Sequence, residues 1–594
     1  MLWKLFMTII IIGLSITSLI FPLASIQELK SPLRINIDIA IIFINITLTN
    51  NSKEYLISQL PRNYPSYITL DTPQKAIEYT VNYIVIEAPP TLCNELNRYM
   101  LMIGKEGPLP NYIKKYLSVT HHKWNWRKAI YVSASAIEEW LAFQVGKYVN
   151  VNAKYMLFLI NIPWIQIPRV YYVSNQSRSY MGFIAFGGNY PIYFIDLSVI
   201  PRPHPGSEYA LSNYGLRVNF STTKPIWDIK SELELTEILK HYISDFVSYV
   251  VVDDYVFFPK YSKLYDLNIL ILNYRDRETN STLSIDINKL RNILYNLTPY
   301  TNWNIDVYNI DGYRYSRIYQ LINNSTIADN WIVIEYEDLV KVLVEEHLLN
   351  YTYSWNYTYV PCIILVAKRP LYLTHKFELN FTGIATPNGI VISYPGYRCR
   401  AIKDGIERVI AHEMGHVLGL SHPFEKIVGN ETRIKWLFDW VVSPMSYSPL
   451  ILGWKGGLFT FDSNKLCIMH WVSIAKELTA MINSGVMNTE LEEMYNKSYE
   501  YLLKGMCIAT HNQSGAISYI IKAYELALKN LENKGITSVS KEKQYITTPQ
   551  TSSSETHPYN ILQETYSNIY IIIMVVTCLC IILYILIRKS SFSK

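Results

Sequence analysis

The chain has 594 residues, too long for one ordinary hydrophobic core, so two or three domains are expected. Only 17% of it is charged, the net charge is +5, and tyrosine is unusually abundant. No lysine/arginine run marks a nucleic-acid footprint and no paired CxxC pattern marks a zinc cluster, so no nucleic-acid partner is expected.

Residues 1–25 carry Lys4, an apolar run from Leu5 to Leu23 broken by Gly13 and Pro22, and a small-residue exit at Ala24-Ser25. That pattern reads as a secretory signal peptide, or as a signal anchor if it is retained. Residues 26–230 are expected to form an upstream α/β domain. Arg34 to Thr49 reads as a strand, rich in Ile35, Ile37, Ile39 and Ile41. Residues 75 to 150 read as largely helical, with Trp126 to Tyr148 the clearest case. Strand-like runs follow at Tyr155–Ile162, Arg169–Val173 and Ile192–Val199, and the Pro-rich stretch from Pro201 to Gly206 ends them. No chemical motif stands out in this third of the chain.

From 231 the pattern is a βαβ-like series: a helix over Glu232–Val252, a buried strand at Leu267–Leu272, a helix at Ile287–Leu297, a strand at Trp303–Ile310 and another at Cys362–Ala367. Phe381–Thr386 and Gly389–Ser393 read as two short strands, with Pro387-Asn388 turning between them.

The strongest signal follows. His412, Glu413, His416, Gly419 and His422 stand in the pattern HExxHxxGxxH. Two histidines four apart share one helix face, so both imidazoles can reach one metal ion, with Glu413 beside them as a carboxylate able to take a proton from water. Gly419 suits a helix stop with positive φ, which swings His422 in as third ligand. Ile406, Ile410, Met414 and Leu418 make an apolar back face, and Asp404 and Glu407 suit the helix N-terminus. Five fixed positions arise by chance on the order of 10⁻⁵ times in such a chain. Glu425 or Glu431 as third ligand is the rival ligand set, disfavoured because both lie too near His416 for a second helix to present them.

This stretch resembles the zinc-binding signature of the metzincin metallopeptidases. Ser443-Pro444-Met445-Ser446-Tyr447 looks like that family's Met-turn, in the serralysin and astacin form where a tyrosine follows two residues after the methionine. The resemblance covers roughly residues 255 to 485. It implies a catalytic domain over 231–485 and Zn²⁺ on His412, His416 and His422. It also implies Glu413 as general base, Met445 beneath the metal, and Tyr447 near the oxyanion. Gly383, Ile384 and Ala385 would be the cleft-rim strand that pairs with an extended protein or peptide substrate. An upstream segment in this family is often an inhibitory propeptide, so 26–230 is a candidate for that role.

Beyond a loop at Gly453–Gly457, Asp462-Ser463 caps a helix reaching about Asn483, and two more helices form an appendage over 486–535. Residues 536–568 read as a Ser/Thr-rich stalk. Residues 569–587 are uncharged and nearly all aliphatic, and at about 1.5 Å per residue they reach about 28 Å, a bilayer core. Arg588, Lys589 and Lys594 place the tail, 588–594, in the cytoplasm and the bulk of the chain outside. Fourteen Asn-x-Ser/Thr sequons, Asn45, Asn356 and Asn496 among them, exceed the five or six expected at about random frequency and agree with a glycosylated exterior. For an exterior protein two disulfides are expected, paired by sequence proximity as Cys362–Cys399 and Cys467–Cys507.

The expectation is an α+β fold with a metzincin-like catalytic domain, an upstream α/β domain, a helical appendage and a C-terminal transmembrane helix. The expected function is a membrane-anchored extracellular zinc endopeptidase. The alternative is a cell-envelope adhesion or structural protein whose zinc site is vestigial.

Overall fold

The computed structural model describes residues 33–533, apart from 68–74, 120–125, 163–166, 174–184, 201–224, 253–260, 275–282, 329–330, 368, 370, 376–378, 395–404, 429–430, 448–458, 482–488 and 506–509. The signal segment, stalk and C-terminal apolar run expected from the sequence lie outside these residues. Among the described residues no helix is long and apolar enough to cross a membrane.

The described residues form a mixed α+β structure. In the upstream half the strands are β1 (Leu33–Ile44), β2 (Asn63–Tyr67), β3 (Lys75–Glu87), β4 (Lys105–Pro108), β5 (Lys128–Ser133), β6 (Tyr155–Ile160), β7 (Arg169–Tyr172), β8 (Ala185–Gly187) and β9 (Ile192–Asp196). In the motif-bearing half they are β10 (Leu264–Tyr274), β11 (Asn302–Asp311), β12 (Thr326–Ala328), β13 (Trp331–Glu335), β14 (Thr352–Tyr353), β15 (Thr358–Ala367), β16 (Leu371–His375), β17 (Leu379–Phe381), β18 (Gly383–Thr386), β19 (Gly389–Tyr394), β20 (Glu425–Val428) and β21 (Glu431–Ile434).

Each half is built on one large sheet, ordered β2-β3-β1-β6-β9-β8 upstream and β11-β10-β15-β19-β18 in the motif half. Most of these pairs are parallel, which requires cover on both faces and explains why β1 and β15 are almost unbroken buried apolar runs. Three stretches differ from the helical reading of 75–150, of which Lys105–Pro108 is a short strand antiparallel to β5. Lys75–Glu87 is a strand because Ile77, Tyr79, Val81, Tyr83 and Val85 alternate with period two, and it pairs with β1 over its length. Lys128–Ser133 is also a strand, rich in β-branched and aromatic residues. The helix starts only at Ala134, where the Ser133 hydroxyl accepts from the Ala136 N–H.

The two halves share one connectivity. Upstream, β1 pairs in parallel with β3 and β6, β6 pairs in parallel with β9, and β8 returns antiparallel at the edge. In the motif half β10 does the same with β11 and β15, β15 with β19, and β18 returns antiparallel at the edge. Each half also carries a small side sheet. In β4-β5-β7 and in β12-β13-β16 the first pair is antiparallel and the second parallel. A helix follows β5 directly (Ala134–Tyr148), and one follows β13 directly (Tyr336–Glu345).

The resemblance extends to the helices. Asn50–Gln59 and Ile287–Leu297 each lie between the first two strands of their sheet, and each carries a later helix. On the first sits Glu232–Asp245, tied by the Thr49 N–H to Glu232 Oε1 (2.6 Å) and by the Tyr55 hydroxyl to Glu237 Oε1 (2.8 Å). On the second sits the motif helix Ile406–Val417, tied by the Asp286 N–H to Glu407 Oε1 (2.8 Å).

One hydrophobic core runs through both halves. Tyr193 on β9 packs against Phe438 and donates to the Leu437 carbonyl (3.0 Å). The helix Thr460–Met481 reaches the upstream sheet through Phe461, stacked on Tyr155, and then packs with Thr489–Gly505 and Thr510–Asn533. Cys362, on β15, and Cys467, on the helix Thr460–Met481, are both buried free thiols, so the expected disulfides to Cys399 and Cys507 are not formed. Each faces the core of its own element, which sequence proximity does not reveal. Cys399 and Cys507 themselves lie outside the described residues.

Candidate metal centre

The motif helix begins at Gly405, whose φ of 86° and ψ of −178° suit only glycine. Ile406, Ile410, Met414 and Leu418 are buried, as their spacing requires. The helix ends in a Schellman arrangement: the Leu420 N–H reaches the Gly415 carbonyl and the Gly419 N–H the His416 carbonyl, both at 2.9 Å, with Gly419 at φ 105°. This reversal brings His422 back beside the two helix histidines. One ring nitrogen from each of His412, His416 and His422 lies within 4.8 Å of the others, a set that can hold a metal ion.

The other ring nitrogens are all engaged. His412 Nδ1 meets the Pro444 carbonyl at 2.8 Å, His416 Nδ1 the Leu420 carbonyl at 2.8 Å, and His422 Nδ1 a Glu425 oxygen at 2.6 Å. Carbonyls and carboxylates only accept, so each Nδ1 carries the proton and each Nε2 carries a lone pair. The Nε2 atoms of His412 and His422 face each other at 3.3 Å. Converging lone pairs on three oriented imidazoles are the donor set a transition metal takes, so the residues fit the ion that their pattern implies. Burial pushes His416 down to about 3, which keeps it neutral and ready to ligate. Glu425 stands behind His422, bonded to Nδ1, and is an orienting group and not a ligand. Burial opposes its charge, but the hydrogen bond from His422 outweighs that and holds it below its usual value.

Glu413 is buried beside His412 and packs on the edge strand β18. A Cβ added at Gly383 would stand 2.6 Å from Glu413 Oε1, so only glycine leaves that carboxylate its place. Gly383, Ile384 and Ala385 are partly buried, paired with Ile392, Val391 and Ile390 of β19. Their outer edge carries no strand among the described residues.

Met445 is fully buried beneath the motif helix, and a Cβ at Gly415 would overlap its sulfur. Its turn is tied by the Met445 N–H to Ser443 Oγ (2.9 Å) and by the Tyr447 N–H to Asp439 Oδ1 (2.6 Å). The Tyr447 ring lies 5.6 Å from that of His412 and 4.9 Å from that of His422, centroid to centroid. His412, His416, His422, Glu413, Met445, Tyr447 and Gly383 therefore lie in one place, with Ile384 and Ala385 following Gly383 along β18. Asp439 and the Pro444 carbonyl were not legible there: a buried aspartate looks like any other, and a backbone carbonyl has no sequence signal. No family model and no curated protein matches the chain.

Proposed function

We propose that the chain is a zinc-dependent endopeptidase of the metzincin type. The observation that carries this is the ligand set itself: three imidazoles with Nδ1 protonated and Nε2 converging, next to a buried glutamate that lies against the edge strand β18. Zinc in that set would supply Lewis acidity for a scissile carbonyl and lower the pKa of water towards neutrality.

The chain's own groups do the rest. An extended peptide adds a strand to β18 by backbone hydrogen bonds, which places its scissile bond over Glu413. Glu413 takes the proton of the attacking water and passes it to the leaving amine. Tyr447 donates to the developing oxyanion, and the Tyr447 N–H bond to Asp439 holds it there. The orienting bonds from Pro444, Leu420 and Glu425 keep the ligands from rotating between turnovers. The apolar run 569–587 and the excess of sequons support a membrane-anchored enzyme facing outward.

The test is Glu413→Gln. It is expected to keep the metal and lower kcat by about 10²-fold or more. A variant with wild-type turnover refutes the role given to Glu413.

A further inference from the structure

The upstream half repeats the main connectivity of the motif half, yet its corresponding helix, Glu232–Asp245, holds the single histidine His241 and no ligand pair. The two edge strands also differ in what they meet. The edge of β18 is open among the described residues, whereas that of β8 is taken by the limb of chain that leads to Met445. Gly187 bridges Val441 in parallel, and its carbonyl accepts the Val442 N–H at 2.6 Å. Gly188, at φ 117°, lies so close that a Cβ would stand 3.0 Å from the Val442 nitrogen, and its carbonyl accepts the Thr460 N–H at 3.0 Å.

One buried carboxylate organises this loop. Glu138, fully buried on Ala134–Tyr148, accepts from the Gly188, Asn189 and Tyr190 N–H groups at 2.9, 2.8 and 3.1 Å through Oε1, and from Asn189 Nδ2 at 2.6 Å through Oε2. Its four hydrogen bonds all come from loop donors at 188–190. From the loop the path runs through Val441 and Val442 to Pro444, whose carbonyl fixes the ring of His412.

We propose that the upstream half is a second copy of the motif-bearing unit whose corresponding helix lacks the histidine pair, turned into a positioning module for the metal centre, with Glu138 as its key positioning residue. Its edge strand holds a segment of the same chain where the other copy leaves an edge for a ligand. It rests on the metal-site reading above, but not on the peptidase reading. Removing the upstream half would strip the Met445 limb of its partner strand, so this half works as part of the site and not as a removable cap.

The experiment measures Co²⁺ and Zn²⁺ affinity, by chelator competition, on the full chain carrying Glu138→Ala, Glu138→Gln or Asn161→Ala. Loss of the Glu138 acceptor is expected to weaken both metals about 10–100-fold, the usual size for a group that orients a ligand. Glu138→Gln keeps the oxygen that serves the three backbone donors, and Asn189 can turn its amide to suit, so affinity within about threefold of wild type is expected. Asn161→Ala removes the bond that Asn161 Nδ2 donates to the Asn45 carbonyl (3.0 Å), just past the ends of β6 and β1, and is expected to lower Tm without changing metal affinity. If Glu138→Ala does not fold, Glu138→Asp, which withdraws the carboxylate by one methylene, takes its place with the same expected direction. Wild-type affinity in a folded Glu138→Ala or Glu138→Asp overturns the proposal, as does equal weakening in Asn161→Ala. A wild-type chain that binds neither metal overturns the metal-site reading instead.

Discussion

Glu425 offers the sharpest test of the tautomer argument. His412 and His416 are oriented by backbone carbonyls, which substitution leaves in place, whereas His422 is oriented by a side chain at 2.6 Å. In Glu425→Ala the Nδ1 proton loses its acceptor, and the ring is free to rotate and to change tautomer. Loss of such a partner costs about 10–100-fold in metal affinity, or about 1.4–2.7 kcal/mol. The Glu425 side chain is 31% exposed, so water replaces part of the lost bond and the loss should sit nearer tenfold. Glu425→Gln retains an acceptor oxygen without the charge and should lose less. Because the hydrogen bond from His422 holds the Glu425 carboxyl below its usual 4.5, the carboxylate is charged at neutral pH and the ranking holds there. Zn²⁺ competition against a chromophoric chelator reads all three proteins. An alanine variant within about twofold of wild type would refute the orienting role.

Four further outcomes follow from the geometry. Gly383→Val pushes a side chain into Glu413 Oε1 and should lower kcat about tenfold or more with metal affinity kept; lost metal would show that β18 acts on the ligands instead. Gly415→Ala overpacks Met445 and should cost about 1–3 kcal/mol, seen as a lower Tm, and an unchanged Tm would contradict the tight contact. Burial pushes His470 down to about 3, while an unfolded histidine takes up its proton near 6.5. Stability is therefore whole above that pH and falls as pH drops from 6.5 towards 3, by up to about 1.4 kcal/mol per pH unit, and His470→Gln should flatten this limb. Equal slopes for the two proteins would rule out His470 as the titrating group. Finally, Cys362 and Cys467 should alkylate in denaturant without reductant, and resistance would mean they are bridged after all.

The metal centre was legible because its signals are local. Helix spacing and the Gly419 stop act within a few turns of chain, Met445 follows the last histidine in the same stretch of sequence, and each is met in the structure. The large sheets were legible only as strands. Ile37 or Ile364 reads as buried apolar wherever it lies, and nothing in such a run tells which other run lies beside it. Hence the shared connectivity of the two halves, a matter of long-range pairing, leaves no local trace in the sequence. The misreading of Lys75–Glu87 has a different cause: charged and polar residues at Glu78, Thr80 and Asn82 break the apolar run, but they fall on alternate positions, which is strand and not helix period. Glu138 was invisible for a third reason, since only the folded loop 188–190 turns a lone helical glutamate into a four-bond anchor.

The central claim is tested most directly by measuring zinc content and peptide hydrolysis on the purified chain beside Glu413→Gln. The account predicts one zinc per chain in both proteins, with chelator-sensitive cleavage in the wild type alone. A chain that binds no zinc, or cleavage that persists unchanged in Glu413→Gln, would contradict it.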